Sequence, residues 1–173
     1  MTRFSKRLIW GQAIWAALVL SGCGDKAGPA GRPTPSGLPV PRYISLKFGE
    51  VNARNGPGED HRILWVYHAK GLPVQVVAET RDWRKICDPD GQTAWVRSRV
   101  TDGRRSVMRT AEGRLALHAA PKVEARITAY LNGRSLAALD KCKDGWCRLK
   151  TPQAKGWAPQ SEVWGVADAP QCR

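Results

Sequence analysis

Beyond residue 42 the hydrophobic and polar positions form short stretches typical of β-strands. In 74–79 alternate residues are apolar, which is the period of a half-buried strand. The turn sequence at 88–91 separates two further strand-like stretches, 83–87 and 93–96. We find no convincing helical period, and the ambiguous stretch 123–131 is predicted as a strand because it aligns with 63–67, which is rich in β-branched and aromatic residues. The pattern therefore predicts an all-β fold.

The strand-rich region contains an internal repeat. Four pairs of blocks align, namely 51–57 with 115–121, 71–74 with 133–136, 82–86 with 145–149, and 94–96 with 156–158. The offset between the copies is nearly constant, which indicates two copies of one unit of about 60 residues. We expect a first domain over 43–107, a second and diverged domain over 108–168, and a tail over 169–173.

The first copy carries motifs of a known family. The segments VNARNGPG, GLPVQVV, DWRKI and GQTAWV resemble the bacterial Src-homology-3-like (SH3b) domain. The second copy has Ala116 and His118 where the opening motif of the first copy has Asn52 and Arg54. The resemblance implies two small SH3-like half-open barrels in tandem. It also implies binding of cell-wall components or service as an adaptor.

The N-terminal segment 1–23 is predicted to be a signal peptide. Three basic residues precede an apolar run over 8–20. A transmembrane helix needs about 20 residues, so this run is too short to cross a membrane. The run ends in Leu-Ser-Gly-Cys, which resembles the bacterial lipobox and implies lipid attachment at Cys23. The alternatives are an ordinary cleavage site beside a chance cysteine, and an uncleaved anchor. We expect an exported, periplasmic lipoprotein anchored to a membrane, with inner and outer membrane both open.

Residues 24–42 connect the signal peptide to the repeat. Five prolines and four glycines occur there without apolar periodicity, which predicts a disordered linker. Such a linker reaches about 60 Å when fully extended. It would hold the folded part away from the membrane.

Aromatic residues recur at equivalent places in both copies. A core of 60 residues can bury only a limited apolar area, so we expect four tryptophans to carry much of it: Trp83, Trp95, Trp146 and Trp157. Trp65 and Tyr67 share one strand face and are candidates for a ligand surface or a contact between the domains. Arg54 is a candidate for holding the long first loop or for binding an anionic ligand. Trp164 is a candidate for packing back onto the first domain.

Four cysteines follow the signal peptide. Cys142 and Cys147 flank a predicted hairpin turn, which places them opposite each other, and an exported chain meets an oxidising environment. We therefore predict a Cys142–Cys147 disulfide. Cys87 and Cys172 either form a second pair or remain as free thiols or intermolecular partners.

Charge and residue content narrow the function. The chain has 173 residues and a formal net charge of +13, which favours contact with anionic polymers or surfaces. Export argues against nucleic acid as a partner, and we predict no metal, no cofactor and no catalytic residues, hence no enzyme. We expect a monomer that binds peptidoglycan or an associated anionic wall polymer. The alternative is a module that scaffolds or regulates an envelope enzyme through protein contacts.

Overall fold

A computed structural model describes residues 34–167 and 171–172. Cys23 and the predicted signal peptide lie outside these residues. The described chain forms thirteen strands and two 3-10 turns, and none of its helical segments is long or apolar enough to cross a membrane. The fold is all-β, as the sequence pattern predicts.

The first unit is a seven-stranded antiparallel sheet. Its strands are β1 Arg42–Leu46, β2 Val51–Arg54, β3 Ile63–Tyr67, β4 Pro73–Glu79, β5 Trp83–Cys87, β6 Thr93–Arg97 and β7 Thr101–Asp102. They are ordered β3-β2-β6-β5-β4-β1-β7. The sheet curls around a core of small branched side chains, among them Val74, Val76, Ile86 and Val96, all fully buried.

The second unit is a six-stranded sheet with the same arrangement. Its strands are β8 Ser106–Met108, β9 Leu115–His118, β10 Ile127–Leu131, β11 Leu136–Lys143, β12 Trp146–Lys150 and β13 Lys155–Pro159. They are ordered β10-β9-β13-β12-β11-β8, so β8 takes the place that β1 has in the first sheet. β8 crosses the predicted domain boundary at residues 107 and 108 and pairs with β11. Leu117, Cys147, Leu149 and Ala158 form the centre of the core.

The four tryptophans expected to carry much of the cores belong to neither cluster of buried apolar residues. Ile86, Ala94 and Val96 point into the first core, and Trp83 and Trp95 lie an odd number of residues from them along their strands, so both rings point to the opposite face. Trp146 and Trp157 have the same orientation relative to the second core. Trp83 is nevertheless buried, and the other three are half-buried.

The predicted strand 123–131 is shorter than expected. β10 begins only at Ile127. The residues before it turn back on themselves, because the Lys122 amide donates to the Ala120 carbonyl and the Ala125 amide donates to the Lys122 carbonyl. Val123, an apolar residue of this stretch, therefore lies on an exposed loop and not in the strand.

The last part of the predicted disordered linker is ordered. The backbone amide of Ser36 donates to Glu79 Oε1 at 3.2 Å, and its hydroxyl makes a further hydrogen bond to the same oxygen. Arg42 Nη2 lies 2.5 Å from Glu79 Oε2, and the Glu79 side chain is 2% exposed. Burial alone would raise the pKa of this carboxyl, but the bonds from Ser36 and Arg42 lower it to about 2. A buried carboxylate thus fixes residues 34–42 to the end of β4.

Strand β8 of the second sheet lies at the junction of the two units. Adjacent residues of a strand point to opposite faces, so Val107 enters the second core while Met108 enters the first. In the same way, Ala137 enters the second core and Leu136 packs against the first. The two units are therefore packed against each other through apolar side chains.

Aromatic and covalent contacts add to this junction. Trp164, near the end of the second unit, contacts Tyr43 of β1 edge to face with ring centroids 5.1 Å apart. A disulfide joins Cys87 to Cys172 and ties the C-terminal tail to the first unit. A second disulfide joins Cys142 to Cys147 across the β11–β12 hairpin, where their Cα atoms are 4.0 Å apart.

Candidate functional site

A groove of about 410 Å³ lies on the outer face of the first unit, and we call it the outer groove. Its volume is within the range of ligand pockets. Its lining includes Asn52, Arg54, Glu59, Val66, Trp83, Arg97 and Arg99. These residues come from β2, β3, β5, β6, the loop between β2 and β3, and the 3-10 turn Ser98–Val100 after β6, so the groove lies between the sheet and that loop.

Arg97 covers the tryptophan in the outer groove. Its guanidinium carbon lies 5.2 Å from the centroid of the Trp83 ring, a cation–π contact. Arg97 Nη2 also lies 2.5 Å from Glu59 Oε1 in the loop. Trp83 is 7% exposed, so it supports the arginine rather than presenting a bare ring.

Arg54 braces the loop that forms one wall. Its Nη1 donates to the carbonyl oxygens of Glu59 at 3.0 Å and of His61 at 2.6 Å. Within the loop, a Cβ added at Gly56 would lie 2.5 Å from the His61 ring, so only glycine permits this close approach. The geometry gives Arg54 the loop-holding role considered from the sequence.

The second unit has a different side chain at the same place. His118, the counterpart of Arg54, lies with its Nδ1 2.9 Å from the Ala125 carbonyl, and since a carbonyl only accepts, Nδ1 donates. The His118 ring is buried and contacts Trp146 edge to face at 5.6 Å. A His–Trp aromatic pair therefore occupies the face that carries arginine and acidic side chains in the first unit.

The other two candidate residues do not join Arg54 in the outer groove. Trp65 is half-buried against the first core and contacts Tyr67 edge to face at 5.9 Å. Val66, between them, points outward and lines the outer groove. The sequence placed Trp65 and Tyr67 on one strand face, and that face is directed inward.

Tyr67 lies at the junction of the two units. Its hydroxyl donates to Asp88 Oδ2 at 2.9 Å, and Asp88 Oδ1 accepts backbone bonds from Asp90 and Gln92. Burial and the Asp88 charge raise the pKa of Tyr67 far above its usual value. Tyr67 also lines a cavity of about 300 Å³ together with Met108 of the second sheet.

An ion pair crosses the junction beside this cavity. Both nitrogens of the Arg134 fork donate to the Asp90 carboxylate, at 3.0 and 3.1 Å. This bidentate contact lowers the pKa of Asp90. Arg134 has a φ of 57°, in the left-handed region, and its position follows Gly133 in the turn before β11. The sequence offered no signal for this pair, because the partners lie 44 residues apart.

The repeat is explained by a family relationship. The family model described as the bacterial SH3 domain matches residues 47–103 and again residues 111–165. The chain belongs to the bacterial SH3 domain family. It therefore carries two bacterial SH3 domains in tandem, and domains of this family are typically binding modules without catalytic residues of their own. The family and the disulfides together are typical of an envelope-related, exported protein.

Comparisons with whole proteins add little beyond the family. Two solved structures from Trichomonas vaginalis are similar to the chain, NlpC1 and NlpC2, each at 13% identity and a TM-score of 0.33. They align over 72% and 75% of this chain and over 46% and 51% of their own lengths. The chain thus spans about half the length of these proteins. No curated protein matches it in sequence.

The described residues contain no group of three or more His, Cys, Asp or Glu side chains placed to hold a metal ion. The acidic residues of the outer groove instead lie near basic side chains: Glu59 pairs with Arg97, and Glu50 Oε1 lies 3.7 Å from His68 Nδ1. The groove can therefore offer positive and negative hydrogen-bonding groups side by side.

Proposed function

We propose that this protein is a non-catalytic envelope module that binds peptidoglycan through the outer groove of its first SH3 domain. The observation that carries the proposal is the mixed charge of that groove, where Arg97 and Arg99 lie beside Glu50 and Glu59. Peptidoglycan carries short peptides with free carboxylate and amino groups. A groove with both signs of charge complements both groups.

Arg99 is the residue best placed to meet a ligand carboxylate. It is exposed, lines the groove, and forms no ion pair within the described residues, whereas Arg97 is already paired with Glu59. Asn52 is exposed on β2 and offers an amide donor and acceptor to a peptide or N-acetyl group. Val66 supplies an apolar contact at 37% exposure.

The difference between the two domains supports assigning binding to the first. Its groove retains Asn52 and Arg54, whereas the second domain has Ala116 and His118 there. Because His118 is buried against Trp146, that face offers fewer groups to a polar ligand. The second domain then serves to hold the first and to extend the surface.

Sedimentation with purified peptidoglycan tests the proposal. We expect the wild-type protein to co-sediment at moderate salt and Arg99→Glu to be retained at least fivefold less. The matched control is Arg126→Glu, which makes the same charge change on an exposed turn of the second domain and should leave retention unchanged. Equal retention of the two variants, or no retention of the wild type, would overturn the proposal.

We also propose that the protein is exported to the periplasm and lipidated at Cys23. The segment before residue 34 then connects the lipid anchor to the folded domains. The strongly basic composition supports capture of anionic wall material. Mass spectrometry of the mature N-terminus tests the anchor: a diacylglyceryl group on Cys23 is expected. A mature chain that starts elsewhere, or an unmodified cysteine, would contradict it.

A second candidate function is scaffolding of an envelope protein. Val123, Ile127 and Tyr130 of the second domain are 69%, 42% and 52% exposed, and exposed apolar residues of this size are typical of protein contacts. Crosslinking in intact cells from position 123 distinguishes this function from wall binding. A discrete protein adduct supports scaffolding, and a profile without one contradicts it.

A further inference from the structure

A second groove, about 460 Å³ in volume, lies where the two SH3 domains meet, and we call it the junction groove. Both domains line it: Leu46 and Lys70 come from the first, and Leu136, Ala137 and Lys150 come from the second. The residues that line it are different from those that line the outer groove. It exists only because the two domains are packed together.

The rim of the junction groove is strongly basic. Five cationic side chains line it, Lys47, Lys70, Arg104, Arg105 and Lys150, against the single acid Asp102. Asp102 is already neutralised, because Arg104 Nε donates to its Oδ2 at 2.8 Å. Cations held together in this way repel one another, and an anion bound between them removes that repulsion.

The arginines of this rim are engaged inside the protein, whereas Lys70 and Lys150 are not. Arg104 is paired with Asp102, and Arg105 donates to the Gly165 carbonyl at 2.7 Å and lies over the Tyr43 ring. Lys70 and Lys150 are exposed and have no acidic partner among the residues that the structure describes. The free groups are therefore ammonium point charges, which bind phosphate through charge and not through the bidentate geometry that arginine offers to phosphate and carboxylate alike.

The floor of the groove is apolar and held firmly. Leu136, Ala137 and Pro152 contribute carbon surface to it. At its base the hydroxyl oxygens of Ser45 and Ser106 lie 2.6 Å apart, and Ser106 donates to the Gly71 carbonyl at 2.6 Å. These bonds cross from one domain to the other and hold the strands around the groove against each other.

We propose that the junction groove binds a phosphorylated saccharide. The ammonium groups of Lys70 and Lys150 neutralise its phosphates, and the C–H face of the sugar covers the apolar floor. A bare phosphate would satisfy the charges but leave the floor uncovered, and a neutral sugar would do the reverse. Affinity therefore requires both parts of the ligand in one molecule.

Isothermal titration calorimetry with fructose 1,6-bisphosphate as the probe tests this proposal. We expect binding of the bisphosphate, at least tenfold weaker binding of inorganic phosphate, and no measurable heat with fructose at the same concentrations. Equal affinity for the sugar bisphosphate and inorganic phosphate would overturn the proposal, as would the absence of binding at millimolar concentrations. A glutamate-rich peptide that binds as tightly as the bisphosphate would also overturn it.

Paired variants locate the binding. Lys70→Glu combined with Lys150→Glu should weaken bisphosphate binding at least tenfold. Lys122→Glu combined with Arg126→Glu makes the same charge change on an exposed turn outside the groove and should change it less than twofold. All four side chains are exposed, so thermal unfolding should show both variants folded. If both double variants lost the same affinity for the bisphosphate, the loss would result from the change in net charge, which would contradict the assigned site.

Discussion

Arg54 and His118 occupy equivalent positions in the two SH3 domains and brace equivalent carbonyls. Arg54 donates to His61, and His118 donates to Ala125, each seven residues further along the chain. The long loop of each domain is thus closed by one side-chain bond to its last part. The second domain thus keeps this brace with a histidine in place of the arginine.

Arg54→Ala should loosen the first long loop without unfolding the domain. Both bonds to loop carbonyls are lost, and hydrogen bonds of a half-exposed charged group of this kind contribute about 1.5 kcal/mol to stability. Amide hydrogen exchange over 55–62 should accelerate while β4 and β5 stay protected. His118→Ala is the matched variant, and it should accelerate 119–126 instead. Unchanged exchange in the first loop would show that Arg54 does not hold it.

The sequence predicts that side chains alternate between the two faces of each strand, but it does not show which face points into the core. In β5 and β6 the residues Trp83 and Trp95 alternate with Ile86 and Val96, so either set fits a core by periodicity alone. Size favoured the tryptophans, but alternation along the strands places them on the face opposite Ile86 and Val96. The strands and turns were predictable because they depend on local sequence patterns. The repeat was predictable because its matching blocks are separated by a nearly constant number of residues.

Trp164 and Tyr67 were candidates for contacts between the domains and lie at the junction, but the rest of the junction could not be predicted because its partners are distant in sequence. Lys70 and Lys150 reach the same groove only through the pairing of β8 with β11 and the packing of Met108 into the first core. Composition indicated a basic chain but gave no location for its charges. Among the long-range contacts, the cysteines were the exception, because their small number limited the possible pairs.

Glu79→Gln should lower stability in a pH-dependent way. The pKa of Glu79 falls from its ordinary 4.5 to about 2 in the folded protein. A carboxyl group whose pKa is lower in the folded than in the unfolded protein stabilises the fold at pH values above the unfolded pKa. This contribution is lost as the pH falls from about 4.5 towards 2. Urea unfolding should show a deficit on the order of 2 kcal/mol at pH 7 that shrinks towards pH 2. A deficit that is the same at pH 7 and pH 2 would contradict this origin.

The two disulfides should differ in their effect on stability. In the chain-entropy model, the Cys87–Cys172 bond, with a sequence separation of 85, contributes about 4.5 kcal/mol, whereas the Cys142–Cys147 bond, with a separation of 5, contributes about 2 kcal/mol. Urea unfolding of the two Cys→Ala double variants measures this. Loss of the longer link should cost more, and the opposite order would contradict the assignment of Cys172 as the clip between tail and first domain.

Tyr67→Phe should destabilise the junction by about 1 to 2 kcal/mol, because it removes a buried hydrogen bond to Asp88. Asp88 keeps its backbone donors from Asp90 and Gln92, which limits the loss. Tyr130→Phe is the control: Tyr130 is 52% exposed, and the variant keeps the ring beneath Arg114. Thermal unfolding of the two variants should separate them, and equal midpoints would show that the Tyr67 hydroxyl contributes nothing.

Alkaline titration checks the same residue independently. Because burial and Asp88 raise the pKa of Tyr67, its stabilising contribution is complete below the usual tyrosine value near 10 and declines only at higher pH. Difference absorbance of the wild type against Tyr67→Phe isolates the Tyr67 phenolate, which should form only well above the usual tyrosine value near 10. Formation of this phenolate at about pH 10, in protein that remains folded, would contradict the buried bond.

The central claim is that the outer groove of the first domain meets the cell wall, and an NMR titration with a soluble muropeptide tests it most directly. We predict shifts of backbone amides at Asn52, Arg97 and Arg99 that saturate with ligand, with the equivalent positions around His118 unchanged. Shifts confined to the second domain, or a spectrum unaffected by millimolar muropeptide, would contradict the account.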